Sequence, residues 1–290
     1  MMHTFSCGRI TTSHSFLLSS PSFSFLSRFS FSTILPKPTT KHHLLLSPRT
    51  SPIYKMSLIE QAKQKAAFQA VDEHVLPSHR VIGVGSGSTV VHVVTRLLQR
   101  DPELNAKTVF IPTSFQSRGL LLDGGLTVGD VEQYPNIDVT IDGADEVDSQ
   151  LNAIKGGGAA HLQEKVVAEA AKKFVIVADY RKDSKVLGEQ WTKGVPVEVV
   201  PFAWKAVLKK LQEQGSKKAS LRMAVAKAGP VVTDNGNFII DAPFGLIHDP
   251  AKLLKDIKLL TGVVEVGLFC NMAEVAYFGC EDGSVTIRTK

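Results

Sequence analysis

Cysteine is scarce in this 290-residue sequence: only Cys7, Cys270 and Cys280 occur. None forms a Cys-x-x-Cys pair, so neither a disulfide framework nor a zinc knuckle is expected. Their expected state is that of small, buried apolar residues in a reducing compartment. No run of about 18 apolar residues occurs, and no membrane span is read. The nine histidines are scattered. His74 and His79 are five apart with Pro77 between them, which denies them a shared helical face, and no metal constellation emerges. There is no internal repeat. Acidic residues are absent before Glu60, whereas Arg9, Arg28, Lys37, Lys41, Arg49 and Lys55 all precede it. Removing these six charges from the formal +5 leaves −1 for residues 56–290, so nucleic-acid binding is not expected.

Residues 1–55 are rich in Ser, Phe and Leu, with no Asp or Glu. This is the composition of an organellar transit peptide, for a plastid or mitochondrion, and not of a packed core. The other reading is translation from Met56, where globular patterning begins at once. Either way the extension is expected to lie outside the fold.

The body alternates. Leu58–Val71 carries apolar residues at helical spacing. Strand-like runs follow at 80–85, 108–112, 137–141 and 173–178, with helices at 89–98 and about 160–172. This order predicts an α/β fold with an open, largely parallel sheet, its ligands held on loops beyond the strands' carboxyl ends. The texture changes near Gly188. A strand at 196–201, a helix at 203–214, an Asn-Gly hairpin of 231–233 with 238–241, a helix at 250–259 and a strand at 263–269 are expected. That is a smaller α+β domain of split-βαβ, ferredoxin-like type. A last hairpin, 275–278 with 285–287, rejoins the first sheet. The division is 57–194 plus 271–290 for the α/β part and 195–270 for the smaller one.

Three loops carry chemistry. Gly83-Val84-Gly85-Ser86-Gly87-Ser88-Thr89 sits between a strand and a helix. It is not a dinucleotide fingerprint, because Ser88 stands where the third glycine belongs, and no Gly-Lys-Ser/Thr makes it a P-loop. Backbone N–H groups at a helix start, with hydroxyls on Ser86, Ser88 and Thr89, suit one phosphate or carboxylate. Asp142-Gly143-Ala144-Asp145-Glu146 places two aspartates three apart beyond a strand, suited to sugar hydroxyls. Lys155-Gly156-Gly157-Gly158 adds a cation and a backbone that can approach a ligand closely, and Glu164 opens the next helix. Together these are parts for acid–base chemistry on a small phosphorylated polyol.

These blocks, with Gln163-Glu164-Lys165, Ala178-Asp179 and Lys182, Pro196-Val197-Glu198-Val199, and Val232-Thr233-Asp234-Asn235-Gly236-Asn237, resemble ribose-5-phosphate isomerase of the A type over about 57–290. The resemblance implies a cofactor-free, metal-independent exchange of D-ribose 5-phosphate and D-ribulose 5-phosphate in the non-oxidative pentose phosphate pathway. It implies Glu164 as catalytic base, with Asp142, Asp145 and Lys155 beside it. Asp142 is the candidate for proton traffic at the sugar oxygens. The resemblance further implies a substrate-binding set of Ser86, Gly87, Ser88, Thr89, Gly143, Ala144, Gly156, Gly157, Gly158, Lys182 and Lys63. A homodimer or homotetramer in the cytoplasm is expected, without nucleic-acid or membrane partners. The alternative is a non-catalytic sugar-phosphate sensor domain.

Overall fold

The computed structural model describes residues 56–290, so the extension 1–55 and Cys7 lie outside the described residues. Helix α1 (Leu58–His74) starts at Ser57, whose hydroxyl accepts the Glu60 N–H at 3.2 Å. Its inner face is a stripe of alanines, Ala62, Ala66, Ala67 and Ala70, all buried. Small side chains let the helix lie close against the sheet below. Strand β1 (Val81–Val84) leads into α2 (Val90–Leu98), whose Val90, Val93, Val94 and Leu97 form one buried face. A short helix α3 (Pro102–Ala106) precedes β2 (Val109–Pro112), and α4 (Phe115–Asp123) follows it. Sequence patterning missed α3 and α4, which are too short to show a period. Yet Ser114 and Ser117 form a reciprocal capping box that starts α4.

Strand β3 (Val139–Asp142) ends in the acidic loop. Two unanticipated short strands follow, β4 (Glu146–Val147) and β5 (Ala153–Ile154), and then α5 (His161–Glu169) and β6 (Phe174–Asp179). Next come β7 (Val195–Val199), α6 (Trp204–Glu213), β8 (Ser220–Leu221), β9 (Phe238–Ala242), α7 (Pro250–Lys258) and β10 (Val263–Val266). The chain ends with β11 (Leu268–Phe269), β12 (Val275–Gly279) and β13 (Val285–Thr289).

The main sheet runs β13-β12-β6-β3-β1-β2, parallel from β12 to β2 with β13 antiparallel at the edge. The second sheet, β10-β7-β9-β8, is fully antiparallel with α6 and α7 as its crossovers, which is the split-βαβ order. The expected fold class, a largely parallel α/β sheet with a smaller ferredoxin-like layer, is therefore the architecture found.

Three expectations are corrected. The hairpin arm 231–233 is not a strand: Val232 meets Phe238 at a single bridge, and β9 pairs with Ser220–Leu221 instead. The Asn-Gly turn itself is present, with Gly236 at φ 80°, but its side chains draw residues 233–237 out of the sheet toward Glu198. The run 263–269 is two strands in different sheets. Gly267 divides them, donating to the Pro196 carbonyl at 2.7 Å while its own carbonyl accepts the Lys155 N–H at 2.9 Å. Cys270 and Cys280 are half-buried rather than buried.

Candidate active site

The carboxyl ends of β1, β3 and β6 point to one side, and the loops beyond them meet the β5–α5 glycine segment around a cavity of about 450 Å³. Lys63, Ser86, Gly87, Ser88, Thr89, Gly143, Ala144, Asp145, Lys155, Gly156, Gly157, Gly158, Glu164 and Lys182 all line it. Asp142 does not. It is fully buried just beneath, next to Lys155.

The buried group at the centre is Lys155, 2% exposed. Its ammonium lies 2.9 Å from Asp142 Oδ2 and 3.2 Å from Glu164 Oε2, as ion pairs, and donates to the Gly143 carbonyl. Burial would lower the Lys155 pKa, but the two carboxylates outweigh it and hold the ammonium above its ordinary value. Glu164 projects from the start of α5, where its N–H bonds to the Ala160 carbonyl at 3.1 Å. Burial, and then the charge of Asp142, push its carboxyl up to about 8 against the pull of Lys155. Asp145 is also raised by burial, although the Gly157 N–H donates to its Oδ2 at 2.6 Å. Asp142 and Glu164 thus share one ammonium. Among the described residues, no three His, Cys, Asp or Glu side chains are grouped to hold a metal ion.

The strand-end glycines serve this packing. Asp142 Oδ1 accepts the N–H groups of Ser86 (2.9 Å) and Gly143 (2.7 Å), so the carboxylate ties the β1 loop to the β3 loop. A Cβ on Gly85 would overlap that carboxylate, and one on Gly157 would crowd Asp145. These two glycines are close-approach positions.

Several polar groups of the serine loop have partners within the chain. Ser86 Oγ bonds to the hydroxyls of Thr113 (2.8 Å) and Ser114 (2.6 Å), and the Gly87 N–H donates to Gln116 Oε1 at 2.9 Å. Ser88 and Thr89 hold the polar positions nearer α1. There Lys63 donates to Ser88 Oγ at 2.9 Å and to Glu60 at 2.6 Å. Lys182 lies 5.3 Å from the Trp191 ring centroid, a cation held over an aromatic face. Sequence reasoning missed Phe115, Gln116, Arg181 and Val231–Asp234 as lining residues. The serine cap at 114 was the one available signal for the first two. The last four come from the smaller layer, and no motif spacing connects them with the cavity.

Comparison with known proteins follows the same pattern. The family model described as ribose 5-phosphate isomerase A (phosphoriboisomerase A) matches residues 109–283. A ribose-5-phosphate isomerase of Mycosarcoma maydis is 60% identical over 243 residues, 83% of this chain and 85% of its own. Among solved structures, a D-ribose-5-phosphate isomerase in complex with phospho-erythronic acid is 38% identical with a TM-score of 0.74, covering 81% of this chain and all of its own. Ribose 5-phosphate isomerase A of Methanocaldococcus jannaschii is also 38% identical, with a TM-score of 0.73, over 80% of this chain and 99% of its own. The chain belongs to the ribose 5-phosphate isomerase A family and is an isomerase.

Proposed function

We propose that the protein interconverts D-ribose 5-phosphate and D-ribulose 5-phosphate through an enediolate, with Glu164 as the base. The observation that carries this is Lys155. It is a buried ammonium between Asp142 and Glu164, lining a cavity that Ser88, Thr89 and Lys63 also line.

Aldose–ketose exchange removes a proton from one carbon and returns it to its neighbour, so it is redox-neutral and needs one base that also acts as acid. A carboxyl raised to about 8 suits both halves, because it is poised between its two forms near neutral pH. Lys155 lies beside that carboxyl and stabilises negative charge developing on the sugar oxygens. Asp145 lines the cavity and is raised by burial, so proton exchange with those oxygens and opening of the furanose ring fall to it. Asp142 is a positioning residue that fixes Lys155 from below and ties down the serine loop. The phosphate docks on Ser88, Thr89 and Lys63, with Lys182 on the rim. Holding it remotely fixes the reacting carbons against Glu164.

For the organisation of the chain, residues 57–194 with 271–290 are taken as the catalytic part and 195–270 as the smaller part. The separate apolar cluster around β7, β9, α6 and α7 supports this. A homodimer or homotetramer through the smaller part is supported by Phe202, fully exposed, with Val200 and Leu259 also exposed. Light scattering of the purified chain reads this directly, and a monomer at micromolar concentration would contradict it.

The functional test is a coupled assay of the full chain with ribose 5-phosphate in excess chelator. Rapid ketose formation is expected. Binding of phospho-erythronic acid without turnover would overturn the isomerase reading in favour of a sensor.

A further inference from the structure

We infer that the turn Thr233–Asn237 is a latch: a wall of the substrate cavity that belongs to the smaller layer and is fastened to the helix carrying Glu164 by the Gln163–Asn235 hydrogen bond. The inference rests on the isomerase reading for its substrate and deepens it.

The segment enters the cavity at Val231–Asp234. Its shape comes from one buried carboxylate. Glu198, fully buried on β7, accepts at Oε1 from Thr233 Oγ1 (2.9 Å), Asn235 Nδ2 (3.1 Å) and Asn237 Nδ2 (3.0 Å). Thr233 closes the turn from inside, its N–H donating to the Asn237 carbonyl and its hydroxyl accepting the Asn237 N–H. Three side-chain donors on Oε1 offset part of the cost of burying the carboxylate, whose Oε2 has no hydrogen-bond partner among the described residues. They also leave the turn one arrangement.

That arrangement is then joined to the α/β layer at two points. Asn235 turns its nitrogen toward Glu198 and its oxygen outward, where Oδ1 accepts from Gln163 Nε2 at 2.9 Å. Asp234 Oδ2 accepts the Phe115 N–H at the start of α4 at 2.8 Å. Gln163 directly precedes Glu164, and Lys165 directly follows it. Lys165 also reaches the smaller layer, donating to the Val266 carbonyl at 2.6 Å and to Glu265 at 2.8 Å. The first turns of α5 are therefore gripped by the smaller layer on both sides of Glu164. Neither Gln163 nor Asn235 lines the cavity, so their effect on substrate passes through position. The two otherwise unexplained blocks, 196–199 and 232–237, are the anchor and the turn of this device.

The test uses the full chain with Gln163→Ala, Asn235→Ala, the double variant and Asn235→Asp. The readouts are kcat and KM for ribose 5-phosphate, the Kd for phospho-erythronic acid by calorimetry, and Tm. Loss of the Gln163–Asn235 bond predicts KM and Kd raised about three- to tenfold in each Ala variant, with Tm little changed in Gln163→Ala and lowered in Asn235→Ala, which also takes a donor from buried Glu198. The double variant should be no worse than the worse single, because both remove the same bond. Asn235→Asp should be worse than Asn235→Ala, since it sets a carboxylate against Glu198. Unchanged Kd in the single variants, additive losses in the double, or parent-like binding by Asn235→Asp would each overturn the latch. The Kd reads the wall whether or not the parent turns substrate over, so failure of the latch is distinguishable from failure of the isomerase reading.

Discussion

Replacing Lys155 by methionine keeps most of the side-chain volume and removes the shared charge. Asp142 loses its cation at 2.9 Å, and Glu164, 3.2 Å away, loses it where it is ionised. Each pair is worth roughly 5 kcal/mol at an effective dielectric constant of about 20, before desolvation is subtracted. Breaking a buried pair from one side leaves an uncompensated charge, and the net loss is about 3–5 kcal/mol. The pH dependence has a definite sign. Lys155 is raised in the folded protein, so its contribution is complete below the ordinary lysine range and fully present at pH 6–9. Glu164 ionises at about 8 in the parent, and without the ammonium that opposes burial it ionises higher still. Below about 8 both proteins hold Glu164 protonated. Above it the parent's loss of stability with pH ends, because its Glu164 is ionised in both states, whereas the variant's loss continues while its folded state still holds the proton. The deficit of Lys155→Met therefore widens from pH 6 to pH 9, and the acid limb of its kcat/KM profile moves upward. Urea unfolding at both pH values, with a pH–rate profile, checks this. A deficit within about 1 kcal/mol, or one that narrows toward pH 9, would refute the reasoning.

Other outcomes follow from the same geometry. Gly85→Ala drives a methyl group into the Asp142 carboxylate, and chemical denaturation should show a loss of about 1–3 kcal/mol or more together with reduced turnover. Lys63→Met removes the cation at Ser88, so steady-state kinetics should show kcat/KM falling roughly 10- to 100-fold, with unfolding stability little changed. The parent's own kcat/KM should climb with pH toward a limb near 8, because the carboxylate form of Glu164 is the base; a flat profile between pH 6 and 9 would contradict that.

The parallel sheet was legible because its strands are buried on both faces and read as continuous apolar runs. Phe174–Asp179 is buried at every position. Polar loops at strand ends made Asp142, Asp145, Lys155 and Glu164 visible as a set. Short elements were not legible: β4 and β5 have two residues each, and α3 has five. The 231–233 segment misled because Asn-Gly marks a turn correctly but says nothing of what its arms pair with. Here Glu198, some 35 residues upstream, decides that through side-chain bonds. Burial of Asp142 was also out of reach, since a carboxylate beneath a loop and one facing a ligand occupy the same position in a motif.

The central claim is that Glu164 moves the proton, and Glu164→Gln tests it most directly. The amide keeps the shape and cannot act as base. The account predicts a kcat at least about a thousandfold lower, with phospho-erythronic acid still bound within about tenfold of the parent. Turnover within tenfold of the parent would contradict it and remove Glu164 from the chemistry.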